Sequence, residues 1–176
     1  MPVIQIPDPS LVVLIGAAGA GKSTFAARHF EASEILSSDA FRARIAGDES
    51  DQSVTRAAFG RLHRELDRRL AEGRLTVVDA TNVERSARRA LLKRSSAAGL
   101  AAVAVVLDLP STTVLTQNAA RTRRVVDESA VRHHLARLRR VLDGPGGGLE
   151  AEGFGQVVIL RDRFELDAVR VVRLRG

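Results

Sequence analysis

Gly16, Gly21, Lys22 and Ser23 satisfy the spacing G-x-x-x-x-G-K-[ST], with Gly19 as an extra residue able to take the positive φ of a tight anion nest. Those residue types at that spacing suit the binding of a polyphosphate. The backbone N–H groups of Gly19, Ala20, Gly21 and Lys22 would wrap a β-phosphate, and a helix starting near Lys22 and running through Ser23 and Thr24 would aim its positive dipole end at the same anion. Lys22 would reach the β and γ oxygens, and the Ser23 hydroxyl would ligate Mg²⁺. Of the 27 basic residues only Lys22 and Lys93 are lysine. A compact ammonium fits inside a phosphate cradle where a planar guanidinium does not, which accounts for the exception at Lys22.

Three further groups bear chemistry. Asp39, in Ser37-Ser38-Asp39, stands where a strand gives way to a helix, and it can accept the proton of an attacking hydroxyl or simply cap the helix. Arg42 lies one turn along the same helix face, where it can hold an acceptor phosphate beside that carboxylate. Asp79 ends the apolar run Leu75 to Val78 and can hold Mg²⁺ through water or form a turn. Arg121, Arg123 and Arg124 fall between two helices. They can close over a nucleotide and neutralise charge developing on its γ-phosphoryl group, or make a solvated basic turn. His133 and His134 read as surface or packing residues rather than metal ligands.

The elements that must position these groups follow from periodicity. Leu11 to Ile15 has the branched apolar composition of a buried strand and empties into the glycine loop. Glu34 to Ser37, Leu75 to Val78, Leu100 to Leu109, Gly155 to Leu160 and Ala168 to Leu174 supply further strands, Leu100 to Leu109 being the most hydrophobic and expected at the centre. Val3 to Ile6 is a short edge segment. Helices are predicted after the glycine loop, through Ala40 to Ala46, over Ser53 to Glu72 with Phe59, Leu62, Leu66 and Leu70 on one stripe, over Glu84 to Ala98 with Ala87, Leu91 and Leu92 inward, from Pro110-Ser111 toward Ala120, and over Asp127 to Leu142. The arginines of the third helix read as surface solvation. Strand and helix alternate, which predicts a parallel sheet between helices, in one domain over 1–176. Asp143 to Gly148 is too glycine-rich for regular structure.

With 176 residues, 45% of them hydrophobic, the chain suits a single domain with an ample core. No run of 18 apolar residues occurs and MPVIQIPDPS lacks a signal-peptide layout, so no membrane association and a cytoplasmic location are expected. Zero cysteines exclude disulfides and thiolate metal sites. A net charge of +6 points to polyanionic partners or to a general arginine bias on helix faces. Six Phe with no Trp or Tyr argue against a large base-stacking platform.

On these residues the chain resembles the 5'-OH polynucleotide kinase module of bacterial RNA end-healing and sealing enzymes, a relative of bacteriophage polynucleotide kinase. The likeness runs through IPDPSLVVLIGAAGAGKSTFA, ILSSDAFR, GDESDQS, LTVVDATNVE, AARTRRVVDESAVRHH and EGFGQVVIL. It implies a P-loop kinase fold with a central parallel sheet flanked by helices and an arginine-bearing lid over about 117–142. It also implies transfer of the γ-phosphoryl group of ATP, with Mg²⁺, to the 5'-OH end of RNA or DNA. By position, Lys22 and Ser23 match ATP and Mg²⁺ residues, Asp39 the general base, Arg42 the residue beside the acceptor end, Gln52 a contact to the acceptor's next phosphate, and Arg121 and Arg124 lid arginines over the donor phosphates. The chain departs from that pattern at Gln117, where the family has another lid arginine that Arg123 would have to replace, and in the glycines of 144–148. Two alternatives stay open: a small-molecule hydroxyl kinase on the same fold, and a non-catalytic ATP-binding module, which Gln117 alone favours. RNA against DNA, the donor nucleotide and a homodimer are likewise open.

Overall fold

The computed structural model describes residues 3–46, 55–122, 124–145 and 148–175. Its centre is β2 (Leu11–Ile15), whose five branched apolar residues are all fully buried. A strand apolar on both faces requires cover on both faces, and two hydrophobic clusters provide it. Val12 and Leu14 join Phe25, Val105, Val114 and Leu166 on one side, while Leu11, Val13 and Ile15 join Leu62, Leu66, Leu91 and Val106 on the other. Each of these large side chains contributes about 1.5–3 kcal/mol by leaving water.

The strands β3 (Ile35–Ser37), β4 (Thr76–Asp79), β5 (Ala102–Leu107) and β6 (Gln156–Leu160) complete a five-stranded, all-parallel sheet in the order β3-β4-β2-β5-β6. The sequence places β5 at the centre. It is interior, but the middle position goes to β2. Helices α1 (Lys22–His29), α2 (Ser38–Ala46), α3 (Thr55–Ala71), α4 (Arg85–Ala97), α5 (Ser111–Ala119) and α6 (Glu128–Asp143) intervene. In α3 the stripe Leu62, Leu66, Leu70 is buried as the period requires, with Ala58 rather than Phe59 as its fourth member.

Two features differ from the sequence reading. A short helix, α7 (Arg163–Ala168), follows β6, capped by the Asp162 carboxylate, which accepts from the Glu165 N–H at 2.8 Å. The outermost strands also leave the main sheet. β1 (Val3–Asp8) pairs in parallel with β7 (Arg170–Arg175) as a separate two-stranded sheet, which buries Ile4 and Ile6 completely against the α1 side of the core. Among the described residues no helix is long and apolar enough to cross a membrane.

β2 is the strand at which the sheet order turns, with β4 on one side and β5 on the other. The C-terminal ends of β2, β3 and β4 therefore open on a single crevice, the position where open parallel sheets bind ligands.

Candidate active site

The loop from Gly16 to Gly21 carries the crevice wall. Gly19 has φ +87° and Gly21 has φ +95°, both in the left-handed region that favours glycine. At Gly19 space imposes the same choice, because a Cβ there would meet the Val114 carbonyl oxygen at 2.7 Å and the Asn118 Cβ at 2.8 Å. The loop is thus pressed against α5. Lys22 folds back over it and its Nζ donates to the carbonyls of Gly16 at 3.0 Å and Ala17 at 2.8 Å. Burial pulls the Lys22 pKa from 10.5 down to about 8, against the attraction of Asp79 and with the repulsion of Arg121. The Ala20 N–H donates to the Ala17 carbonyl at 3.1 Å and closes the loop on itself. The Ala18 N–H meets His134 Nδ1 at 3.5 Å. Burial, then Lys22 and other nearby cations, lowers His134 to about 4, so the ring is a neutral acceptor in the loop's backing.

Asp79, at the end of β4, accepts from the Ser23 hydroxyl at 2.7 Å. A hydroxyl and a carboxylate held together beside the phosphate loop are oxygen donors of the kind Mg²⁺ takes along with phosphate oxygens and water. Among the described residues no group of three or more His, Asp or Glu converges. Ser23 and Asp79 are the residues that would hold Mg²⁺.

The rest of the DATN segment serves as scaffold. The Gly16 N–H donates to the Thr81 carbonyl at 3.0 Å, tying the loop's start to β4. Asn82, at φ +49°, donates from Nδ2 to the Leu14 carbonyl at 2.8 Å. The carbonyls of Asn82 and Val83 accept from Arg88 Nη1 at 3.0 and 2.8 Å, and Arg88 meets Glu152 in a two-pronged pair at 2.8 and 2.7 Å. Arg88 is 1% exposed, in the middle of a helix whose stripe reads as apolar.

Asp39 is not the helix cap. Ser37 Oγ accepts from the Ala40 N–H at 3.3 Å, which leaves the Asp39 carboxylate for the crevice. Its Oδ1 receives a hydrogen bond from Arg42 Nη1 and another from Arg124 Nη1. Arg42 is buried, donates from Nε to Thr55 Oγ1 at 3.3 Å and lies 5.8 Å over the Phe59 ring. Burial, then repulsion from Arg124, draws its pKa below the ordinary guanidinium value. A cleft of about 230 Å³ joins Gly19, Lys22, Ser23, Asp39, Asp79, Gln117 and Arg121. A second cavity of about 490 Å³ shares Ser38, Ala80 and Thr81 with it and is lined by Arg42, Phe59, His63, Val83 and Leu91. Asp39 and Arg42 therefore stand between a polar, phosphate-sized cleft and a larger, more apolar space.

Lid placement comes from Asn118 at the end of α5. Its Nδ2 donates to the Val126 carbonyl at 2.7 Å and its Oδ1 accepts from the Val126 N–H at 3.1 Å, which pins the irregular stretch that carries Arg121 and Arg124. Arg121 and Arg124, which the resemblance reads as lid arginines, thus ride on a strapped loop between helices. Gln117, with its amide oriented to satisfy both neighbours, donates to the Gly19 carbonyl at 2.7 Å and accepts from Arg163 Nη1 at 3.3 Å. The side chain beside the departure from the family pattern is thus Arg163 on α7. Arg123, named from the sequence as the replacement, lies outside the described residues, as does Gln52.

The crevice accordingly collects Gly19, Gly21, Lys22, Ser23, Thr24, Asp39, Asp79 and Arg121, with Gly16 tied in by Lys22 and Arg124 by Asp39, drawn from the loop after β2, from α1 and α2, from the end of β4 and from the stretch after α5. A family model described as an AAA domain matches residues 11–145. The chain belongs to that family. The match spans β2 through α6, so every group just described except Arg163 and Glu152 lies inside the AAA domain. Among solved structures, a chain of the Pnkp1/Rnl/Hen1 RNA repair complex superposes with TM-score 0.65 and 22% identity over 77% of this chain and 45% of that one. The present chain thus spans under half the length of that relative. A sugar kinase from Janibacter sp. HTCC2649 gives TM-score 0.59 and 22% identity over 87% and 85% of the two chains. A gluconokinase from Sinorhizobium meliloti 1021 gives 0.51 and 20% over 88% and 83%. A comparison with curated protein sequences gave no match. These likenesses identify the α/β fold as that of P-loop kinases. Asn82, Arg88, Asn118 and Arg163 are the functional neighbours that sequence reasoning missed. Only the run DATN carried a signal for any of them.

Proposed function

We propose that this protein is an ATP-dependent polynucleotide 5'-hydroxyl kinase, transferring the γ-phosphoryl group of ATP to the 5'-OH end of RNA or DNA. The observation that carries the reading is the Asp39 carboxylate, freed from capping and held by both Arg42 and Arg124 between the phosphate cleft and the larger cavity. In the reaction Asp39 orients the acceptor hydroxyl and takes its proton as the oxygen attacks the γ-phosphorus. The bond from that phosphorus to the β–γ bridging oxygen breaks in line, and ADP leaves. Lys22 and the arginines 121 and 124 hold the charge on the transferred group. Ser23 and Asp79 would hold Mg²⁺, which would supply positive charge against the triphosphate. Arg42, buried next to Asp39, suits an acceptor that carries its own phosphate. Arg163 supplies a guanidinium beside the P-loop next to Gln117, which weakens the case for a non-catalytic module.

A small-molecule hydroxyl kinase is the second reading. It is favoured by the sugar kinase and gluconokinase among the structural relatives, both covering most of the chain. The deciding experiment incubates γ-labelled ATP and Mg²⁺ with a 5'-OH oligonucleotide, the same strand already 5'-phosphorylated, and a panel of sugars and nucleosides. Label on the 5'-OH strand alone supports the proposal. Label on a sugar or nucleoside, or on nothing, rejects it.

A further inference from the structure

A basic groove lies beside β3. It has a volume of about 870 Å³ and runs along the outer edge of β3, an edge strand that pairs only with β4, between α2 and α3. Arg44 enters it from α2, and Arg61, Arg64, Arg68 and Arg69 from α3. Among the described residues Glu65 is the one acid in its lining. That carboxylate is already taken by Arg68 at 2.8 and 3.0 Å and Arg69 at 2.7 Å, and their hydrogen bonds hold its pKa down to about 2.

The other three arginines are differently placed. Among the described residues no acidic side chain pairs with Arg44, Arg61 or Arg64, all of which are exposed. Arg44 lies with its guanidinium 5.2 Å over the Phe41 ring, which presents its donors outward. Arg61, Arg64 and Arg68 follow each other at i, i+3 and i+7, a single stripe roughly 10 Å long. Solvated helix faces mix both signs within a turn or two, as α6 does with its Glu128–Arg132 pair. Here the unpaired cations share one concave surface.

The groove adjoins the active site across the start of α2. Ser37 and Ala40 line the groove while Ser38 and Asp39 line the phosphate cleft, so the start of α2 is the partition between them. We propose that this groove is the track of a single nucleic-acid strand whose 5' end reaches Asp39, its downstream phosphates passing over Arg44, Arg61 and Arg64. This rests on the polynucleotide reading and adds to it a path for the strand beyond the terminal nucleotide. Guanidinium contacts to phosphate, with no aromatic face free for stacking, make the binding salt-sensitive and indifferent to sequence.

The test is the double variant Arg61→Gln with Arg64→Gln, beside a reference pair of exposed arginines on α6, Arg132→Gln with Arg139→Gln. Binding of a dye-labelled 5'-OH RNA of about 12 nucleotides is read by anisotropy between roughly 50 and 200 mM salt, with no turnover needed. The groove variant is expected to bind roughly tenfold more weakly, and its salt slope should flatten by about 1.4, two single-strand phosphate contacts at ~0.7 each. The reference pair should leave both unchanged. In the transfer assay the groove variant should raise KM for the long strand and leave kcat, KM for ATP and KM for a 5'-OH dinucleotide as they were. Wild-type binding and slope in the groove variant would overturn the track, as would equal losses in the reference pair or failure of the unaltered protein to hold the strand. Strand binding that depends on the groove but comes without transfer rejects the kinase reading and keeps the track. Transfer that ignores the groove does the reverse.

Discussion

Asp39 receives guanidinium groups from two directions, Arg42 on its own helix and Arg124 from the lid stretch. Asp39→Asn keeps the shape and removes the proton acceptor. Phosphoryl transfer is expected to fall about 10²–10⁴-fold with ATP affinity retained, measured by label transfer alongside nucleotide titration; a variant with near-native rate excludes Asp39 as the base. Lys22 supports a pH prediction. Its buried ammonium titrates near pH 8 instead of 10.5, so the charged form is complete below that and is lost as pH rises through it. Bound phosphates favour the charged form, so ATP binding takes up a proton between pH 8 and 10.5 and weakens above about pH 8. Isothermal titration in two buffers of different ionisation enthalpy reads this uptake, and Lys22→Met should abolish it. The phosphate loop was legible at this scale because its chemistry requires one residue type at each place. Asp39 was legible as either a base or a cap, and the Ser37 hydroxyl, by taking the capping N–H, leaves its carboxylate out of the second role.

The helices and strands were read from periodicity, which registers apolar faces and is silent on polar ones. That silence explains Arg88. The α4 stripe is read as Ala87, Leu91 and Leu92, yet Arg88 is the most deeply buried polar side chain of that helix because Glu152, 64 positions away, folds onto it. Nothing local announces a partner at that distance. Arg88→Met should cost about 3–5 kcal/mol in urea unfolding, the penalty of leaving the largely buried Glu152 with the exposed Arg85, 4.0 Å away, in place of its two-pronged partner, and adding Glu152→Gln should recover part of it. Asn118 is the corresponding knot for the lid. Asn118→Ala strands the Val126 N–H and carbonyl, an expected loss of about 1–3 kcal/mol, accompanied by a rise in KM for ATP as Arg121 and Arg124 lose their fixed base. A stability loss with KM unchanged would separate the knot from the lid.

Over the whole molecule, the alternation of strand and helix made the parallel sheet legible, while the division into two sheets was not read from it, although β1 (VIQIPD) and β7 (RVVRLR) mix polar with apolar residues where β2 and β5 are apolar throughout. That small sheet closes the core on one flank. Shortening the chain before Val169 removes the partner of β1 and uncovers Ile4 and Ile6, at about 1.5–3 kcal/mol each; thermal unfolding should show the loss, and an unchanged Tm would mean that β1 is held by the core alone. Because the pairing is parallel, Val3 lies beside Arg170 and Asp8 beside Arg175. Residues 3 and 175 therefore sit at opposite ends of the pair, ~17 Å apart along the strands. Had the two strands run antiparallel, a two-residue turn would join them. As they stand, a circular permutant that fuses these ends needs a bridge of at least ~5 extended residues, and shorter fusions should force β1 off β7 before they disturb the phosphate loop.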